Sequence, residues 1–341
     1  MIPTDALHGL KQTAMRLARA GAPLAAESGP APVPGEQDVL LEVLACGVCR
    51  TDLHLVDGDL PDIPYPITPG HEVVGRVIQA GSAVADVRPG DRLGVPWLAH
   101  TCGACSYCLE GRENLCDHAQ FTGYTLNGGY ARYILADARY CLRIPDRYED
   151  GEAAPLLCAG LIGYRAYRMA GTAARLGLYG FGAAAHLLAQ IAKAEGREVF
   201  AFTRPGDETA RKFARDLGVD WAGGSDEAPP HELDCAILFA PDGGLVPRAL
   251  STVRKGGQVV CAGIHMSDVP GFPYSYLWGE RSIRSVANLT REDGRLFMDL
   301  AARLALRPRV QLFELSRANE ALDCLRRGRL TGAAVLCPSG S

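Results

Sequence analysis

No uninterrupted apolar run in these 341 residues reaches the roughly 18 that a membrane span requires, so no spanning helix is expected. Neither sign of charge dominates: 35 lysines and arginines face 39 aspartates and glutamates, the formal net charge is −4, and no basic block occurs. That balance argues against a nucleic-acid surface. The opening stretch MIPTDALHGLKQTAMRLARAG has no apolar core followed by a small-residue cleavage site and does not read as a secretory signal. Internal repeats and low-complexity segments are missing as well. These absences leave a cytosolic protein with neither a nucleic acid nor a membrane as partner, and the closing CPSGS is expected to fray.

What the chain does hold is a 48% hydrophobic composition, 39 glycines and enough length for about two domains, which together fit a compact α/β protein. It also holds twelve cysteines. In a reducing compartment thiols stay reduced, and a cluster of them is better explained by metal than by disulfides. Four fall in TCGACSYCLEGRENLC: Cys102, Cys105, Cys108 and Cys116, spaced C-x2-C-x2-C-x7-C. Zn2+ favours four soft ligands in a tetrahedron, and thiolates two residues apart can fold around one ion. Four sulfurs leave no open position, so this site pins a loop and does no chemistry. The rival reading is four incidental cysteines.

Chemistry needs a different ligand set. Cys49 follows the β-type run VLLEVLA and precedes Arg50, Thr51, Asp52 and His54. His71 and Glu72, in PGHEVVGRVIQAG, are expected to begin a strand that ends at Gly81, and Cys158 precedes a small-residue turn and a helix-like stretch. Two thiolates and one imidazole leave the fourth zinc position open. Taken singly, Cys158 reads as a core hydrophobe and His71 as a structural histidine. Only beside the cysteine loop do they read as ligands.

The stretch RLGLYGFGAAAHLLAQIAKAEG gives a strand at Arg175–Tyr179, a glycine turn and an apolar helix. Its G-x-G-x-x-A pattern places Gly180 at the tight turn, Gly182 where a pyrophosphate approaches backbone, and Ala185 where helix and strand pack. Phosphate oxygens would sit at the positive helix N-terminus. Further strands at 199–202, 234–239 and 258–263, alternating with helices such as 208–217, make a doubly wound parallel sheet. The second strand ends in Thr203 and Arg204, where NAD enzymes usually place a carboxylate for the ribose. Without the carboxylate a 2′-phosphate is not repelled, and Arg204 can pair with it, which favours NADP over NAD. A solvated surface arginine is the competing account.

CGVCRTDLH, GHEVVGRV, PGDRLGVPW, the four-cysteine loop, GYTLNGGYARY, CAGLIGYRA and GLYGFGAAAH occur in an order that resembles the zinc-dependent alcohol dehydrogenases of the medium-chain dehydrogenase/reductase superfamily, from about Met15 to Leu336. The resemblance implies an α/β fold: a GroES-like, mostly-β catalytic domain at 1–160 and 288–341, and a Rossmann dinucleotide domain at 161–287. Helices near Gly294–Leu304 and Arg317–Arg327 belong to the returning catalytic segment. It implies two zinc ions per chain, a catalytic one at Cys49, His71 and Cys158 with Glu72 close by, and a structural one in the cysteine loop. Thr51 takes the hydrogen bond from the alcohol and passes the proton through a ribose hydroxyl to His54, whose charge changes near physiological pH. A surface histidine unrelated to catalysis is the other reading of His54. Asp52 orients the His71 imidazole or caps a helix. Arg50 contacts the cofactor pyrophosphate, and Phe181, Ala183, Ala262, Gly263 and Ile264 join Gly180, Gly182, Thr203 and Arg204 as cofactor positions.

The pattern also departs from the family. Gly332-Ala333-Ala334-Val335-Leu336 stands where a second phosphate-clamping arginine is usual, and Ile162 replaces a threonine near the nicotinamide. Trp97, with Leu60 or Tyr124, lines an apolar substrate cleft or fills the core. The reading is reversible oxidation of a primary or secondary alcohol with NAD(P), in a homo-oligomer, dimer or tetramer. A related zinc enzyme acting on a polyol or another aldehyde, and a non-catalytic nucleotide sensor, are the alternatives.

Overall fold

The computed structural model describes residues 9–338, so residues 339–341 of the tail expected to fray lie outside the described residues. The chain divides into two compact units. One runs to Cys158 and resumes at Leu289–Ala302 and from Pro308; the other comprises Ala159–Asn288 and Arg303–Arg307. The sequence placed Arg303–Arg307 with the returning catalytic segment. Their grouping with the second unit has a local cause: the Gln190 side chain donates to Arg307 O (3.2 Å) and accepts from Arg307 N (2.8 Å).

The first unit is built on two aliphatic strands, Asp38–Val48 and Val73–Ala80, paired antiparallel with Cys46 opposite Val73. Both are rich in valine and leucine, which suit a pleated, buried surface. They sit inside a seven-stranded sheet whose neighbours run Val310–Glu314, Ala333–Cys337, Asp38–Val48, Val73–Ala80, Arg92–Val95 and Leu142–Arg143, with Tyr133–Asp137 also on Asp38–Val48. Leu41, Val43, Val73, Tyr130 and Leu336 are fully buried in its core. The long strand delivers Cys49 at its end and the neighbouring strand receives His71 and Glu72 at its start. Those two residues precede the strand instead of opening it: Gly70, at φ +97°, breaks the extended run, and pairing starts at Val73.

The second unit holds six strands, all parallel, in the order Trp221–Gly224, Glu198–Thr203, Arg175–Tyr179, Leu233–Leu238, Val253–Cys261, Ser282–Ser285. Counted along the unit this is 3-2-1-4-5-6, the doubly wound order that binds dinucleotides. Two of the six lack a sequence signal: Trp221–Gly224 ends in two glycines, and Ser282–Ser285 is exposed along its length. The Val253–Cys261 strand starts five residues earlier and ends two earlier than the sequence implies, because Leu233 pairs with Val253 across a register shift. The helices differ at their ends: Glu208–Asp216 stops one residue short of expectation, Ala318–Arg326 loses one residue at each end, and Arg291–Leu304 starts three residues earlier than Gly294.

Candidate metal centres and cofactor turn

Cys49 closes a strand and caps the helix Arg50–Asp57. Its sulfur accepts from Thr51 N (3.3 Å), and its own N–H donates to Asp52 Oδ2 (2.9 Å). His71 Nε2 lies 3.2 Å from Cys49 Sγ, and Cys158 Sγ lies 3.9 Å from it. With Glu72, the ligand atoms of these residues all fall within 4.8 Å of one another. A zinc–sulfur bond of about 2.3 Å sets a tetrahedral edge of about 3.8 Å, so the spacing suits one Zn2+. It is far longer than a disulfide.

Asp52 does both things open to it in the sequence. While Oδ2 caps the helix, Oδ1 stands 3.5 Å from His71 Nδ1 and accepts from Gly70 N (3.1 Å). The imidazole therefore turns Nε2 toward the sulfurs. The electrostatics suit a cation. A hydrogen bond from Cys158 holds the Cys49 thiol well below its ordinary value against the opposing effect of burial, and Cys158 is raised in return. Burial lowers His71, but negative Cys49 and Asp52 outweigh it and leave the imidazole well above its usual range. Burial raises Glu72. Glu72 fits only because residue 47 is glycine: a Cβ there would lie 1.8 Å from Glu72 Oε2.

The loop thiols form the second group, with Cys102–Cys108, Cys105–Cys108 and Cys116–Cys102 sulfurs at 3.9, 3.5 and 3.6 Å. Backbone amides of Ala104 and Cys105 pull Cys102 down to about 6. The loop is anchored at both flanks: Tyr140 Oη accepts from Thr101 N (2.9 Å), and buried Glu113 accepts from Arg291 N and Nε (3.0 and 3.2 Å).

Thr51 and His54 sit on the Cys49-capped helix, both buried. His54 Nδ1 is 2.8 Å from Asp59 Oδ2, a partner that the sequence reading missed although it lies five residues on in HLVDGD. Trp97 is buried, meets the His71 ring edge-on (4.9 Å) and stacks on Phe121 (5.2 Å) and Tyr124 (5.7 Å). It thus packs the core and walls the His71 site together. Phe121 gave no signal in the sequence. Leu60 is half-buried against the same core, and Arg50 is exposed.

In the second unit Gly180 turns at φ +89°, where a Cβ would meet Ala240 N at 2.8 Å, whereas a Cβ on Gly182 would meet nothing within 4 Å. That leaves room beside the N-terminus of the helix Ala183–Ala194. Phe181, Ala185 and Ala262 are buried, Gly263 is half-buried and Ile264 is exposed. Thr203 is buried, and its hydroxyl donates to Gly223 O (3.2 Å) and Arg204 O (3.3 Å), so of that pair only Arg204 presents its side chain to solvent. Ile162 is half-buried, and Ala333, at the place of the missing arginine, is buried.

Residues 35–146 match the alcohol dehydrogenase GroES-like domain. A Mycobacterium tuberculosis protein named "Probable alcohol dehydrogenase AdhA" is 47% identical over 313 residues, 89% of this chain and 90% of that one. The chain belongs to the zinc-type medium-chain alcohol dehydrogenases. An alcohol dehydrogenase of Geobacillus stearothermophilus is 38% identical, over 88% of this chain and 91% of its own length. Acetophenone reductase from Geotrichum candidum, solved in complex with NAD, superposes with a TM-score of 0.87 at 28% identity over 96% and 97% of the two chains. This medium-chain dehydrogenase is accordingly an oxidoreductase that interconverts alcohols with aldehydes or ketones, passing hydride to or from NAD(P). No helix among the described residues is long and apolar enough to cross a membrane.

Proposed function

We propose that Cys49, His71 and Cys158 hold a catalytic zinc with Glu72 beside it, that Cys102, Cys105, Cys108 and Cys116 hold a structural one, and that the 2′-phosphate of NADP pairs with Arg204. The observation that carries the reading is the convergence of two sulfurs and one imidazole nitrogen, drawn from three distant stretches of chain, at tetrahedral spacing. Three protein ligands leave the open corner that substrate needs. When bound, the zinc supplies Lewis acidity toward an alcohol oxygen and the nicotinamide accepts hydride.

The chain's own residues supply the rest. Asp52 fixes which imidazole nitrogen faces the metal. The Thr51 hydroxyl, able to donate and accept at once, receives the alcohol proton, and His54, oriented by Asp59, takes it onward. Trp97, Phe121 and Tyr124 give the first unit an aromatic wall beside His71, which favours apolar alcohols. Cofactor contacts are assigned to Arg50, to the turn at Gly180, Phe181, Gly182 and Ala183, and to Ala262, Gly263 and Ile264. The free edge of the Ser282–Ser285 strand supports pairing with a second copy of the chain, in a cytoplasmic homo-oligomer.

The test is a panel of alcohols and aldehydes assayed with both cofactors, alongside zinc analysis. We expect two zinc ions per chain, and a lower KM for NADP that Arg204→Ala raises by about tenfold with little change for NAD. Equal or better use of NAD would remove the Arg204 assignment.

A further inference from the structure

We infer that Asn127 and Arg16 are positioning residues for His71, a proposal that rests on the assignment of zinc to Cys49, His71 and Cys158. His71 is the one ligand delivered by neither a helix cap nor a regular turn. It follows Pro66–Gly70, a segment with no strand or helix of its own beyond an isolated bridge from Ile67 to Leu17. Metal sites function only when their ligands are held within about 0.5 Å of the productive geometry. Something must therefore hold this segment still.

The hold comes from the stretch Gly123–Tyr130. Backbone carbonyls of Thr68, Pro69 and Gly70 accept from Gly128 N (2.7 Å), Tyr130 N (3.0 Å) and Gly129 N (2.9 Å). The two stretches lie so close that a Cβ on Gly128 would sit 2.1 Å from Gly70 O. Thr68 N–H is left for a side chain of that stretch and donates to Asn127 Oδ1 at 3.0 Å. The same oxygen accepts Arg16 Nη1 at 3.1 Å, while Arg16 Nη2 donates to Pro66 O at 2.9 Å. One amide oxygen and one guanidinium thus grip the segment at Pro66 and Thr68, and Asp52 Oδ1 takes Gly70 N on its far side. Asn127 itself is exposed and belongs to neither metal cluster. It acts on the metal only through the loop that carries His71.

Removing Oδ1 leaves the Thr68 amide without an acceptor and Arg16 Nη1 with only its longer bond to Thr68 Oγ1 (3.4 Å), and the segment loosens ahead of His71. A role confined to stability would lower the melting temperature and leave the metal alone, so the readouts are zinc release to a chromogenic chelator and the visible spectrum of the cobalt(II)-substituted protein. His71→Ala first identifies which zinc belongs to this site. For Asn127→Ala we expect that zinc to leave at least about tenfold faster, with altered cobalt bands, as for other partners that orient metal ligands. Asn127→Asp keeps an oxygen for both donors and should return release to near the wild-type rate. Should Asn127→Ala fail to fold, Arg16→Gln, which frees Pro66 O and removes the guanidinium from Asn127 and Thr68 Oγ1 while leaving Thr68 N on Asn127, must move release in the same direction. Wild-type release and cobalt bands in Asn127→Ala overturn the inference even if the melting temperature falls. So does an aspartate variant that behaves like alanine. If His71→Ala loses no zinc, the metal assignment itself fails, and this proposal goes with it.

Discussion

Cys158 contributes one of two sulfurs to the proposed catalytic ion. Serine there keeps the shape but not the soft ligand, so Cys158→Ser should abolish turnover, lower zinc by one ion per chain and leave the far-ultraviolet circular dichroism unchanged. Normal turnover would refute the ligand. His186 makes a different kind of prediction. It is fully buried in the helix behind Gly180, its Nδ1 3.2 Å from Gly182 O, and burial depresses its pKa to about 4 from an ordinary value of about 6.5. Between those values the unfolded chain binds the extra proton and the folded chain does not. The stability that His186 contributes is therefore complete above about pH 6.5 and is lost as pH drops toward 4, by up to about 1.4 kcal/mol per unit. Denaturant titrations at pH 5, 6 and 7 should show that slope, and His186→Leu should flatten it. Equal slopes in the two proteins would mean the imidazole is not held neutral.

Single elements carry the remaining local geometry. The strand Asp38–Val48 needs glycine at 47 because the Glu72 carboxylate occupies the space of a side chain there. Gly47→Ala must push Glu72 away from the Cys49–His71–Cys158 group. We expect a loss of about 1–3 kcal/mol, as for overpacked cores, together with weakened metal retention, read by thermal melts and zinc content. The cysteine loop is a separate element with its own anchors at Tyr140 and Arg291. Cys105→Ser should release the loop's zinc and lower the melting temperature while the other zinc stays bound.

How far such detail was legible in the sequence depends on range. Cysteine spacing, the glycine turn and the strand–helix alternation are local patterns, and they put Cys49 after a strand and Gly180 in a turn, where the structure has them, whereas His71, expected to open a strand, precedes it. Asp59 lay within reach in HLVDGD and was missed, whereas Phe121 matters through a pairing that no local pattern encodes, and so do Asn127 and Arg16, 111 residues apart. Trp221–Gly224 and Ser282–Ser285 become strands only because a parallel neighbour recruits them, against weak propensity of their own.

At the scale of the molecule, the metal groups and the dinucleotide turn belong to different compact units. A chain stripped of zinc by chelation should therefore still bind dinucleotide, with an affinity within about threefold of the loaded protein when measured by calorimetry. Loss of binding on stripping would show that the zinc-bearing unit, Arg50 included, is needed for the dinucleotide to bind.

The unit that carries the cysteines is also assembled from both sides of the chain: Ala334, Val335 and Leu336 pair with Val48, Gly47 and Cys46, immediately before Cys49. On the ribosome, domains tend to fold as they emerge. The nucleotide-type unit is complete but for a short return segment once residue 288 is out, yet the sheet beside Cys49 lacks its closing strand until Ala333–Cys337 has been made. During synthesis the strand that delivers Cys49 thus waits for a partner made almost 300 residues later. A stop codon just before Ala333 would remove the closing strand that borders Cys49 while sparing the six parallel strands.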